Sequence, residues 1–410
     1  MAASKILHTH LNSALEKMDP RRAKNIIRGI LSILRSNGGS FSHIARHSNK
    51  DIAEKHQVKW YQHLINNRHV YRALMHLQRA HARAIIGIET APLLLIDWTD
   101  LTSDFTLLSA TMACDGRSIP IYQEVHKKGV GNRTKTHIAF LDRFEEVLPD
   151  RCMPIIVTDA GFKNKWFAAV ISRNWDVVGR LAKYVYITPK GVKDGKSTLG
   201  TYPRLAETLY DRATETPTSL GPCIVTKKSP IEFTVVLYKS QRKGRKAYYN
   251  PKTHRGNSSN ASMKAKKRAN DPWILATSLS ELKPQAVVDL YAARMQCEET
   301  FRDLKSHRFG LSMEDLRCDS KARLSVHLFL MMMAVYFSMR LGAAAERLDL
   351  QKEFQANTIK HRRVLSRVSL GRRIFSKFDQ FWPRIKHIFF DPLKPHSFPP
   401  KPNTLVLSTA

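Results

Sequence analysis

PLLLIDWTD, residues 92–100, decides the fold. Leu93 to Ile96 is a continuous apolar run with no polar alternation, so it has no face to give to water and reads as a short central strand buried on both sides. The run ends on acids, with Asp97 at its close. Two further runs follow at short range, FTLLSATMAC (Phe105 to Cys114) and IPIYQEV (Ile119 to Val125), separated by the turn Asp115-Gly-Arg. Three consecutive strands joined by short turns make an antiparallel meander. Beyond them the spacing predicts a helix around Thr136 to Leu148, a strand Pro154 to Thr158, a helix near Lys163 to Ser172 and a strand Trp175 to Leu181. The order β-β-β-α-β-α-β is that of an α/β core.

The alternation stops at residue 182. From there to residue 272 the chain carries Gly-rich turns, a strand pair around Cys223 to Thr226 and Ile231 to Tyr238, and a run dense in bases. Lys227 to Arg268 holds 13 Lys and Arg against one acid, Glu232. Within it, residues 241–270 interleave Arg242, Lys243, Arg245 and Lys246 with Tyr248, Tyr249 and His254, the make-up of an extended arm lying on a polyanion. A solvated linker has the same composition. On the N-terminal side, Ile26, Ile27, Ile30, Leu31 and Leu34 recur at helical spacing up to a Ser36-Asn-Gly-Gly stop. Ser40 to Asn67 then reads as short helices broken at His47-Ser-Asn, a helix-turn-helix-like pattern that an ordinary helical bundle also produces. After the strand-like Trp273 to Thr277, Pro284 stands at a helix start, and one helix is expected to run to about Ser306. Further helices reach about Phe378, before a Pro-rich end. The expected division is 1–88 helical with the helix-turn-helix-like pattern, 89–181 first part of the core, 182–272 basic and mostly β, 273–325 second part of the core, and 326–410 a helical C-terminal region with a Pro-rich tail.

With 67 Lys and Arg against 35 Asp and Glu, the 410-residue chain has a formal net charge of +32. That balance argues against a small-metabolite substrate and for a polyanionic partner. The hydrophobic fraction of 43% argues against a disordered basic tail. Five scattered cysteines, with no C-x-x-C pair, make a structural zinc unlikely to be the organising feature and agree with a reducing cytoplasm. The first residues lack the apolar core of a signal peptide. Leu324 to Met339, the most apolar stretch, is shorter than the roughly 20 residues of a span and is expected to be a buried helix, with no membrane partner.

The chemistry gathers on the helix after Pro284. Tyr291, Arg294, Glu298 and Lys305 stand at increments of 3, 4 and 7. On one ideal helix they fall within an arc of roughly 60° over about 21 Å, one acid among cations. Leu290, Cys297, Phe301 and Leu304 form the apolar stripe beside them. For an arbitrary helix this would be a solvated face of ion pairs. Asp97 and Asp159, however, close two predicted strands, where strand ends meet a site. Three converging carboxylates repel one another unless a cation neutralises them. Hard oxygen ligands without His or Cys select Mg²⁺ or Mn²⁺.

At these residues the sequence resembles the DDE transposases of bacterial insertion sequences, specifically the insertion-sequence-four group. It is closest to the Tn-ten type and similar also to the Tn-five type. The group's signature Y-(2)-R-(3)-E-(6)-K is matched without a gap in YAARMQCEETFRDLK, residues 291–305, and its two Asp motifs by LLLIDWTD and IIVTDAGF. The resemblance implies a ribonuclease-H-like core interrupted by a mostly β insertion, with Asp97, Asp159 and Glu298 binding two Mg²⁺ or Mn²⁺ ions. It implies that Tyr291, Arg294 and Lys305 contact phosphates near the cleaved bond, and that Trp273 stacks on a flipped base.

The implied function is excision of a mobile element by hydrolysis at its inverted-repeat ends, a hairpin on the opposite strand, and joining of the 3′-OH ends to target DNA. Two-metal catalysis serves each of these displacements at phosphorus. The implied partners are double-stranded DNA, as inverted-repeat ends and as target, and a second copy of the chain in a synaptic complex, in the bacterial cytoplasm. The rivals are a stand-alone metal-dependent nuclease and an inactive DNA-binding relic. Charge divides accordingly: residues 1–90 carry +10, 91–181 carry 0, 182–272 carry +13 and 273–410 carry +9, so the excess avoids the segment that holds Asp97 and Asp159.

Overall fold

The computed structural model describes residues 2–190, 204–240, 271–306, 311–313, 316–359, 363–391 and 393, apart from the single positions 37, 50, 115 and 132. The basic residues Arg242, Lys243, Arg245 and Lys246 lie outside the described residues.

Six helices open the chain: α1 (Ala2–His10), α2 (Asn12–Leu15), α3 (Pro20–Ser36), α4 (Phe41–Arg46), α5 (Glu54–Ile65) and α6 (Arg68–Ile86). The core follows as β1 (Leu93–Asp100), β2 (Phe105–Cys114), β3 (Arg117–Lys127), α7 (Thr134–Val147), β4 (Ile155–Thr158), α8 (Asn164–Ile171) and β5 (Asp176–Arg180). These are the elements expected from the sequence, with boundaries displaced by two residues or fewer. Next come β6 (Tyr186–Pro189), β7 (Arg204–Leu205), a 3-10 segment Ala206–Arg212, β8 (Thr218–Val225), β9 (Ile231–Tyr238) and β10 (Trp273–Thr277). The C-terminal part holds α9 (Pro284–Ala292), α10 (Met295–Lys305), α11 (Lys321–Arg347), the 3-10 segment Leu350–Phe354, α12 (Arg367–Ser376) and α13 (Phe378–Ile385).

Among the described residues the ten strands form one mixed sheet, in the order β3-β2-β1-β4-β5-β10-β9-β8-β6-β7. β1 to β3 are antiparallel neighbours, while β1, β4 and β5 run parallel. This arrangement is consistent with a ribonuclease-H-like DDE domain. The strands after residue 182 do not form a sheet of their own: β9 pairs with β10, and β10 with β5, so they prolong the core sheet.

Every residue of β2 is buried, because helices cover both faces. On one face Tyr122 packs its ring on Phe140 and Phe144 of α7. On the other lie α9 and α10. The outer edge at β3 is closed by α6, whose Gln78 Oε1 accepts the Gln123 N–H at 2.7 Å and whose His81 meets the Pro120 carbonyl at 2.9 Å. An edge strand is thereby denied to other chains.

Two expectations are corrected. The helix from Pro284 is not continuous to Ser306. It tightens at Ala293-Arg294, where Arg294, Gln296 and Cys297 donate to carbonyls three residues back, and continues as a second helix. The apolar helix at Leu324 is also longer than read. Lys321–Arg347, at 27 residues, is long and apolar enough by length and composition to cross a membrane, but 89% of its most apolar window is buried inside the protein. It runs unbroken across position 325. Tyr61 Oη of α5 meets its His327 Nδ1 at 2.9 Å, and a Cβ on Gly29 of α3 would touch Leu330, so the first helices and α11 share one core.

Candidate active site

Asp97 and Asp159 are brought together by strand register alone. β1 and β4 run parallel with Ile96 opposite Thr158, so Asp97 on β1 and Asp159, directly after β4, follow the same pair. Neighbouring strands lie about 4.8 Å apart. Along β1, side chains alternate between faces, and Asp97 shares the face of Leu93 and Leu95, toward α10.

Helix α10 is fixed on that face by three ties to the β2–β3 hairpin. Gln296 Oε1 accepts the Cys114 N–H at 2.8 Å, Thr300 Oγ1 accepts the Ser118 N–H at 3.0 Å, and Arg117 Nε donates to Asp303 at 2.8 Å. The apolar stripe of Leu290, Cys297, Phe301 and Leu304 is buried as the sequence predicts. With the helix locked, Arg294 reaches both acids: Nη1 donates to Asp97 Oδ2 at 2.8 Å and Nη2 to Glu298 Oε1 at 2.6 Å. The other Asp97 oxygen accepts the Trp98 N–H at 2.8 Å. Asp159 Oδ1 accepts the Gly161 N–H at 2.9 Å.

Asp97 is 8% exposed, and burial pushes its carboxyl up to about 7. Arg294 and the Trp98 N–H pull the other way, while Asp159 and Glu298 add to the rise. A buried carboxyl surrounded by two others is poised to exchange its proton for a cation. Arg294, flanked by these acids and Tyr291, is held charged. Its guanidinium stands where an opposite charge is needed.

The tightened turn takes Tyr291 out of the polar stripe predicted for a single straight helix. Tyr291 is buried, lies 5.8 Å from the Arg294 guanidinium and packs edge-on against Trp273 at 4.8 Å. Trp273 is half-buried and also meets Tyr238 at 5.4 Å, its partner in the terminal pair of β9 and β10. Lys305 ends α10, two turns beyond Glu298, or about 10 Å along the axis. Arg294 therefore contacts both Asp97 and Glu298, Asp159 shares a cleft with Asp97, Tyr291 lies beside Arg294, and Lys305 is farther along the same helix.

A cleft of about 390 Å³ opens on Asp97 and Asp159, lined also by Trp98, Asp100, Lys128, Gly131 and Gly161. Sequence reading overlooked this far wall. Its signal was the basic Gly-containing loop HKKGVG, residues 126–131, and the tryptophan directly after Asp97. The donor set is all carboxylate oxygen, which fits a hard divalent cation. Among the described residues no group of three His, Cys, Asp or Glu is gathered closely enough to hold one ion. Arg294 stands between Asp97 and Glu298 and takes one oxygen of each.

Residues 89–337 match the family described as Transposase DDE domain. No curated protein matches the chain. A match over more than half of the sequence, on a mixed sheet that sets two aspartates side by side, places this chain in the transposase DDE domain family, whose members act on DNA.

Proposed function

We propose that the protein excises and inserts a mobile DNA element of the insertion-sequence-four group, using Asp97, Asp159 and Glu298 as the cutting site. The observation that carries this reading is the pairing of Asp97 and Asp159 across parallel strands, with Glu298 joined to Asp97 through one guanidinium. The three carboxylates would hold two Mg²⁺ or Mn²⁺ ions, which when bound activate the nucleophile and stabilise the leaving oxygen at phosphorus.

The chain's own residues do the rest. Arg294 exchanges its carboxylate contacts for a phosphate of the bound end, a ligand its planar fork suits. Lys305 grips a phosphate farther along the duplex, and Tyr291 holds Arg294 from beneath. Trp273 offers a face on which a displaced base stacks during hairpin formation. The bases Arg242, Lys243, Arg245 and Lys246 track the backbone beside it. Water opens the first strand at the inverted-repeat end. The freed 3′-OH attacks the opposite strand, and after the hairpin opens it attacks target DNA.

End recognition is assigned to residues 1–88, where α5 turns Lys55, His56, Lys59 and His63 outward. Two copies, each cutting the end held by the other, make up the synaptic complex, in the bacterial cytoplasm. The test is joining: pre-cut ends, a target plasmid and Mg²⁺ should give covalent end-to-target products. Cutting of intact ends without any joining would favour a stand-alone nuclease, and absence of both would favour a DNA-binding relic.

A further inference from the structure

We infer that His137 is a positioning residue that braces the strand ends carrying Asp97 and Asp159 from the face of the sheet opposite Glu298. The inference rests on the reading of those aspartates as the ion-holding site. Trp98 directly follows Asp97, and Phe162 stands three residues after Asp159. His137, buried on α7, touches both. Its Nε2 accepts from Trp98 Nε1 at 3.0 Å, and its ring stacks on Phe162 with centroids 4.7 Å apart.

An indole N–H can only donate, so that bond leaves the imidazole proton on Nδ1. The Gly131 backbone, on the third wall of the cleft, is the ring's other polar partner. One neutral ring thus meets three segments that line one cavity. Trp98 also meets the His126 ring edge-on at 5.3 Å, and His126 in turn meets Glu124 at 3.0 Å. The Trp98 backbone N–H donates to Asp97 Oδ1 at 2.8 Å, so movement of Trp98 is felt at the carboxylate. Outer-shell partners of this kind typically change metal affinity by about 10–100-fold when removed.

The experiment titrates Mn²⁺ into the full-length, DNA-free protein and follows free Mn²⁺ by electron paramagnetic resonance, with thermal midpoints measured in parallel. His137→Phe, which keeps a ring but neither hydrogen bond, should weaken Mn²⁺ binding about tenfold or more. His137→Gln, able to accept from Trp98 and donate to Gly131, should return to within about threefold of the parent. Trp98→Phe, needed should His137→Phe fail to fold, should show the same weakening, and the double variant should add nothing further, as expected for two ends of one bond. Unchanged Mn²⁺ affinity in His137→Phe with a lowered melting midpoint would reduce His137 to a packing residue and overturn the proposal. Equal weakening in the Gln and Phe variants would do the same. Asp97→Ala separates the two levels: if it binds Mn²⁺ like the parent, the assignment of the ion site itself fails, whereas loss there with no effect at His137 defeats only the brace.

Discussion

Burial of the Asp97 carboxyl makes the stability of the ion-free protein depend on pH. Its folded pKa of about 7 lies above the unfolded value of about 3.9, so the folded form holds a proton that the unfolded chain has released. Its contribution is fully present below about pH 4 and is lost as pH rises through 7. With a chelator present, Asp97→Asn should therefore gain on the parent between pH 5 and 8, by about 2–3 kcal/mol, at about 1.4 kcal/mol per pH unit up to the folded pKa. Urea midpoints at several pH values check this, and a constant difference between the two proteins would contradict it. Arg294→Lys loses the fork that reaches Asp97 and Glu298 together. It should cut strand cleavage by about 10²-fold or more while the charge is kept, as single-turnover assays can measure. The placement of Asp97 and Asp159 at strand ends and of Glu298 on a helix is legible in the sequence, because apolar runs and helical spacing mark those elements. The roles of His137 and Trp98 are not, because they come from contacts across 39 positions that no local spacing records.

Among elements, α11 and α12 approach so closely that their backbones touch. A Cβ on Gly371 would stand 1.8 Å from the Ser338 carbonyl oxygen, and one on Gly342 would stand 2.0 Å from that of Arg367. Alanine ordinarily favours a helix over glycine, but neither backbone can yield without parting the helices. Gly371→Ala should thus destabilise by about 1–3 kcal/mol, seen as a lower midpoint in thermal melting, whereas a rise would mean the helices are not so close. The strand boundaries could be read from sequence because each apolar run is bounded by a turn. The break between α9 and α10 could not. Nothing in YAARMQ is a helix breaker, and the tightened turn goes with tertiary holds on Arg294, Gln296 and Tyr291. The joining of β6 to β9 onto the core sheet was equally hidden, since it depends on β10, a strand that follows residues 241–270 in the chain.

At the scale of the whole molecule, acid and salt are the two levers. His81 and His327 are buried and His10 is half-buried, with pKa values lowered to about 3, 3 and 4 by loss of solvent. Each lies below its unfolded value of about 6.5, so the unfolded chain takes up protons that the folded one refuses as pH falls below about 6.5. Stability should drop on acidification by about 1.4 kcal/mol per pH unit for His327, with a further drop from the hydrogen-bonded His10–His81 pair, less the opposite contribution of Asp97. A denaturation midpoint that stays level from pH 6.5 to 5 would contradict this. The net charge of +32, concentrated outside the segment with the two aspartates, should make DNA binding fall by about 10³-fold or more between about 50 and 200 mM salt. The basic flanks would hold duplex while a neutral core segment supplies acids, and that division rests on the three carboxylates forming one cutting site. The direct measurement is cleavage, in Mg²⁺, of DNA bearing the inverted repeats that flank the coding sequence, by Asp97→Ala, Asp159→Ala and Glu298→Ala, with DNA binding measured alongside. Each variant should bind DNA like the parent and cut at least about 10³-fold more slowly; any one of them cutting at the parent's rate would contradict the assignment.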